Sequence, residues 1–225
     1  MKKFKLSIAL ITLSLFILAT FSGCEKPIDL SEYLTELKYQ SYANQDCEYV
    51  IKANYGFIED NHVTDGKVGK KTNLLTFKLL DRQTDNVTYT VSLDFNGVNY
   101  KSNFKLSPVS HSLVAVIEIN DFNLNEFEIT LSHSSENVKT TLTSILPENT
   151  ITYKQALTHL QTQQSQLIAS YIDQDGRFNG EIAARILVKD EHPYWYIGLC
   201  DKDGNLKALL IDGFNGEILA IRQIF

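Results

Sequence analysis

The absences in this chain narrow its chemistry first. It has 3 cysteines and 5 histidines in 225 residues. So few cysteines cannot staple a small disulfide scaffold. His62, His111, His133, His159 and His192 form no i, i+4 pair and no H-E-x-x-H, and no Cys-x-x-Cys accompanies them. That excludes the common transition-metal motifs. There is no G-x-S-x-G elbow, and Ser110-His111-Ser112 is contiguous in a strand-like run, where successive side chains point to opposite faces. No glycine-rich loop carrying a lysine leads into a helix, so no phosphate cradle is expected. Acids outnumber bases by 27 to 21, a formal charge of −6, which argues against nucleic acid as a partner. The expectation is a protein with no catalytic residue, no cofactor and no metal.

Long apolar runs are equally scarce, and the one present lies at the start. Met1-Lys2-Lys3-Phe4-Lys5 is a basic segment, and Leu6 to Phe21 is apolar except for serine and threonine. The run is shorter than the roughly 20 residues that a membrane span needs and ends in small residues, as a secretory signal does. Phe21-Ser22-Gly23-Cys24 follows and resembles a bacterial lipobox, with Phe21 where an aliphatic residue is usual. The resemblance implies a signal peptide over 1–23, lipidation of Cys24 and anchoring at the extracytoplasmic face of the cell membrane. Loss of Lys2, Lys3 and Lys5 would take the charge from −6 to −9. Cys47 and Cys200 then remain. They read as packing thiols in strand-like runs, and a bridge between them is the open alternative.

The rest of the chain has two grammars. Leu30, Tyr33, Leu34 and Leu37 recur at helical spacing, which predicts a short helix within a tether over 24–45. From Cys47 the period changes to two: Cys47, Tyr49, Ile51, Ala53 and Tyr55 share one face, and Glu48, Lys52 and Asn54 the other. Runs over 72–80, 86–95, 98–106, 111–119, 126–132 and 138–146 continue it, rich in β-branched and aromatic residues. Asn96-Gly97 between two of them predicts a two-residue hairpin. About seven short strands in a hundred residues predict an antiparallel β-sandwich of immunoglobulin-like architecture over 46–146. After Pro147, Tyr153, Ala156, Leu157, Leu160, Leu167, Ile168 and Tyr171 fall on one helical face, and Thr152 with Gln155 makes a capping box. Strand-like runs then close the chain, so 151–225 reads as an α+β unit, one helix on an antiparallel sheet, and the whole as α+β.

This last third resembles the PepSY domain. The likeness rests on the capped start Ile151-Thr152-Tyr153-Lys154-Gln155-Ala156, the strand Tyr194-Trp195-Tyr196, the hairpin Asp201-Lys202-Asp203-Gly204 and the run Asp212-Gly213-Phe214-Asn215-Gly216-Glu217-Ile218-Leu219. The N-terminal part also resembles uncharacterised Gram-positive lipoproteins. PepSY modules occur in secreted or membrane-bound bacterial proteins, including protease propeptides. The resemblance implies restraint of a peptidase and supplies no active-site residues.

Two features remain. Asp173-Gln174-Asp175-Gly176 and Asp201-Lys202-Asp203-Gly204 begin like calcium loops, but their glycines arrive at the fourth position, not the sixth. They read as turns whose aspartates bond nearby backbone N–H groups, with a weak calcium site as the open alternative. Tyr194, Trp195 and Tyr196 are the candidate partner-binding surface. In a strand the two tyrosines face one way and the tryptophan the other, and an edge strand here would accept an extended peptide. The expectation is a non-enzymatic binding or regulatory module at the cell envelope, modulating a peptidase or another envelope protein. The alternative is an accessory lipoprotein holding a small molecule or ion in a cleft between the two units.

Overall fold

A computed structural model describes residues 28–44, 49–60, 69–80, 87–108, 111–134 and 136–224. The signal segment, Cys24 and Cys47 lie outside the described residues.

The organising element is β1 (Leu34–Asn44). Its neighbours on one side are β2 (Ile51–Glu59), β3 (Lys71–Leu79), β7 (Leu113–Glu118) and the short β6 (Lys105–Leu106). On the other side β1 has two partners in succession. Its first half runs parallel to β10 (Gly180–Lys189), through Leu34↔Ile182 and Lys38↔Arg185. Its last residues pair antiparallel with β9 (Glu136–Ser144), through Tyr42↔Ser144 and Asn44↔Leu142. From β9 the sheet continues through β8 (Glu126–His133) and β4 (Tyr89–Phe95) to β5 (Val98–Asn103). From β10 it continues through β11 (His192–Asp201) and β12 (Leu206–Asp212) to β13 (Ile218–Ile224). β5 lies against β7, so the first nine strands nearly close on themselves.

The exchange of partners is built around one residue. Lys38 pairs with Gly56 and Gln40 with Tyr55, leaving Tyr39 as the extra residue of a bulge. A bulge bends and twists its strand, which lets β1 leave β10 and meet β9. Gly56 is required opposite: a Cβ there would stand 1.7 Å from the Leu37 carbonyl oxygen. The Tyr39 ring packs against both hydrophobic cores, 5.7 Å from Tyr55 in one and 6.4 Å from Tyr153 at the other.

These observations correct the α+β expectation. The fold is mostly β: one nearly closed, barrel-like sheet extended by four more strands, not a sandwich followed by a separate helical α+β module of the PepSY kind. The decisive error lies in residues 30–37. Only Leu30–Tyr33 turn, as a single 3-10 turn capped by the Asp29 carboxylate on Ser31 N, and the chain extends from Leu34. Apolar residues at i, i+3, i+4 and i+7 also fit one helical turn running into a strand buried on both faces, and Leu34 to Leu37 are all buried. The expected helix also shortens. α1 (Tyr153–Gln163) ends where Gln164 leaves helical geometry at φ −125°, and α2 (Ser165–Ala169) adds barely one turn.

The two-residue alternation was legible. Ile51, Ala53 and Tyr55 are buried while Lys52 is exposed, and Asn96 and Gly97 form the β4–β5 turn at φ 50° and 78°. In the second core, the sheet offers the rows Ile182–Leu199, Ala184–Ile197–Leu209 and Ile186–Trp195–Ile211 across β10, β11 and β12. Ala156, Leu157 and Leu160 of α1 cover them. The capping box is present: Gln155 N donates to Thr152 Oγ1 and Thr152 N to Gln155 Oε1. No described helix is long and apolar enough to cross a membrane.

Candidate functional site

The second core decides which side of β11 can meet a partner. Trp195 faces α1, is 2% exposed, and its indole N–H donates to the Ile151 carbonyl at 2.9 Å. It is a core anchor and does not belong to a surface with its neighbours. Tyr194 and Tyr196 lie on the opposite face, half-buried. β11 is interior, paired with β10 and β12 along its length, so strand addition cannot take place on it.

The outer face carries a track of linked side chains. At one end His192 Nε2 donates to Asp212 Oδ2 at 2.8 Å, and its ring lies 4.7 Å from Tyr194 and 4.8 Å from Phe214, centroid to centroid. Tyr196 follows, with the Arg185 guanidinium 5.8 Å from its ring. Arg185 forks onto Glu36, with Nε donating to Oε1 at 2.9 Å and Nη2 to Oε2, and Lys38 Nζ stands 3.1 Å from the same carboxylate. Beyond Glu36 and Lys38 opens a shallow, mainly apolar groove of about 210 Å³ over Gly56, Phe57, Leu74 and Thr76. Ile58 and Val116 rim it, 37% and 43% exposed, and Leu187 beside the tyrosines is 45% exposed. The track crosses β11, β10, β1, β2, β3 and β7, and so spans the seam between the two cores.

Charge in the track is fixed in place. Burial acts to raise the Glu36 carboxyl, but the hydrogen bonds of Arg185 and the charges of Lys38 and Arg185 outweigh it and hold it below its ordinary value. Asp212 shows the same balance: burial raises it, and the N–H groups of Phe214 and Asn215 together with His192 bring it lower. Both stay carboxylates at neutral pH.

The aspartate turns use their carboxylates on their own backbone. Asp173 Oδ1 accepts from Asp175 N and Arg177 N, and Asp201 Oδ1 from Asp203 N and Asn205 N, all at 2.9 Å. Asp212 Oδ1 accepts from Phe214 N at 2.8 Å and Asn215 N at 3.1 Å. The first two turns line one cleft of about 180 Å³ together with Lys202 and Asn179. No group of metal-ligating side chains occurs among the described residues. Cys200, next to the last residue of β11, is half-buried, with its thiol 3.6 Å from the Asp201 carbonyl.

Sequence reasoning named the tyrosines but missed Arg185, Glu36 and the His192–Asp212 pair. Glu36 and Arg185 lie 149 positions apart, and only the parallel β1–β10 register joins them. His192 and Asp212 are not directly opposed either: Asp212 pairs with Tyr194 across β11 and β12, and His192 reaches it from the diagonal position. No protein-family model matches the chain, and no curated protein matches it.

Proposed function

We propose that this is a lipid-anchored extracytoplasmic protein, non-enzymatic, that binds or regulates another protein of the cell envelope. The observation that carries the reading is the outer track from Phe214 and Tyr194 to Val116. Half-exposed aromatic and aliphatic side chains surround an Arg185–Glu36 pair held rigid on a sheet, the composition of a protein-binding hot spot. The groove in the track is smaller than the roughly 300 Å³ at which small-molecule sites begin, so the track itself suits a protein partner, and the small-molecule alternative would instead use the cavity of about 560 Å³ between Ile28–Ser31 and α1. A peptidase is the first class of partner to try, on the resemblance of the 151–219 motifs in sequence alone. Cys24 is the proposed point of lipid attachment.

A photo-crosslinking residue at Leu187, in the full chain in its own envelope, tests the surface. A defined protein adduct is expected from Leu187 and not from Asn99 on the remote strand β5. Equal patterns from both positions would remove the proposal. Anchoring is tested separately: Cys24→Ala should leave the chain unprocessed or released, and a processed, membrane-bound Cys24→Ala chain defeats it.

A further inference from the structure

The outer face of the first nine strands keeps one row of charge that its described neighbours do not answer. Lys52 of β2 stands directly opposite Lys78 of β3, Lys78 opposite Val114 of β7, and Val114 opposite Lys105 of β6. The residues on either side of each, such as Ala53, Phe77 and Leu113, fill the core, so the three lysines point outward. Neighbouring strands lie about 4.8 Å apart, which sets three cations within about 15 Å. Like charges directly opposed across strands destabilise a sheet, so the Lys52–Lys78 pair costs stability that an acidic partner would restore. Among the described residues none of the three forms an ion pair, although acids outnumber bases by 27 to 21. Glu118, an acid of the same face, stands opposite Leu74, about 13 Å along β3 from Lys78. The row borders the apolar groove. Thr76 and Val116, which line the groove, pair with each other and lie two residues, about 7 Å, from Lys78 and Val114.

We infer that the protein partner of the outer track carries an acidic segment, which lies along Lys52, Lys78 and Lys105 while an adjoining apolar side chain enters the groove. This deepens the binding reading and rests on it. A polypeptide supplies both chemistries at the required spacing, since two residues of extended chain span about 7 Å. A phosphate polymer supplies the charge alone. Position disfavours an anionic bilayer. The row continues onto β1 at Ala43, nine positions past Leu34 and about 30 Å along the strand. The chain enters the fold at the other end, beside α1, where Gln161 Nε2 donates to the Ile28 carbonyl at 3.0 Å. The four residues from Cys24 to Ile28 reach at most about 14 Å, so the proposed anchor holds that end at the membrane and leaves the lysine row away from it. Opposite charge then steers the acidic segment to the row and fixes which way it lies across the groove.

A photo-crosslinking residue at Val114, between the lysines, tests this in the full chain in its own envelope. It should trap the same protein as Leu187, and mass spectrometry of the linked peptide should show a segment rich in Asp and Glu. Lys52→Glu combined with Lys78→Glu should cut the Val114 adduct roughly tenfold, by turning attraction into repulsion. Lys154→Glu combined with Lys202→Glu makes the same change of charge on exposed residues away from the row and should leave the adduct as it was. Both double variants keep the core intact, which circular dichroism checks. No protein trapped at Leu187 defeats the binding reading and this inference with it. A protein trapped at Leu187 but not at Val114 overturns the inference alone, as does a linked peptide without acids or an equal loss in the two double variants. An adduct of Val114 with lipid also overturns it and assigns the row to the membrane.

Discussion

Single residues carry two decisions here that no periodicity reports. Gly56 is one. It sits in β2 where an alanine methyl would fall 1.7 Å from the Leu37 carbonyl oxygen, against backbone that cannot yield without opening the β1 bulge. Gly97 is a glycine for another reason: it holds φ 78° in open space. Gly56→Ala should therefore cost about 3 kcal/mol or more, as a clash with buried backbone does. Gly97→Ala should cost roughly 1–2 kcal/mol, the strain of a left-handed residue. Urea unfolding of both variants measures the order, and equal losses would remove the close-approach argument. Asp212 is the other decision. Read as turn chemistry from D-G-F-N-G, it does hold the turn, and its second oxygen also holds His192. One oxygen was legible because its partners are two and three residues away; the other was not, because its partner is twenty positions upstream.

Between elements, the seam of β1 and β10 is the contact that nothing local predicts. It is a parallel pair in an otherwise antiparallel sheet, and the Arg185–Glu36 fork clamps its outer face. Glu36 in the folded chain lies below its ordinary value near 4.5, so the folded state binds its proton less readily than the unfolded state. The stability it confers is complete above about 4.5 and is lost as pH falls through the lower, folded value. Glu36→Gln should thus weaken the chain at neutral pH and flatten the fall in stability below about pH 4.5, seen by chemical denaturation across pH. A fall as steep as that of the unaltered chain would assign the acid sensitivity elsewhere. At the helix, Thr152→Ala removes half of the capping box and should cost about 1 kcal/mol in the same measurement. The box was legible because its members are three residues apart. The early end of α1 was not, because the apolar face of 153–171 continues in register past Gln164.

At the scale of the whole molecule, two cores share one strand. Leu34 and Leu37 of β1 enter one core and Tyr42 the other, with Tyr39 touching both. Losing β1 would open each core at once, so both should unfold in a single transition. Trp195 is the only tryptophan and lies in the second core, so its fluorescence reports that core, while far-UV circular dichroism is dominated by the strands of the first. Coincident urea curves are expected, and separate midpoints would show that the cores unfold independently. The sequence by itself determined the strands of 51–146 and 180–224, the Asn96-Gly97 turn, the capped start of α1 and the opposite facing of Tyr194 and Trp195. All of these depend on neighbours within a few residues, where alternation, capping and turn chemistry act. Only the tertiary structure decided that 34–44 is a strand, that it joins two cores into one sheet, and that Glu36 meets Arg185 beneath Tyr196. The strand state of 34–44 rests on pairing with β2 as well as β10, and the joining of the cores and the Glu36–Arg185 contact on segments 149 positions apart, where burial of β1 on both faces overrides its own helical spacing.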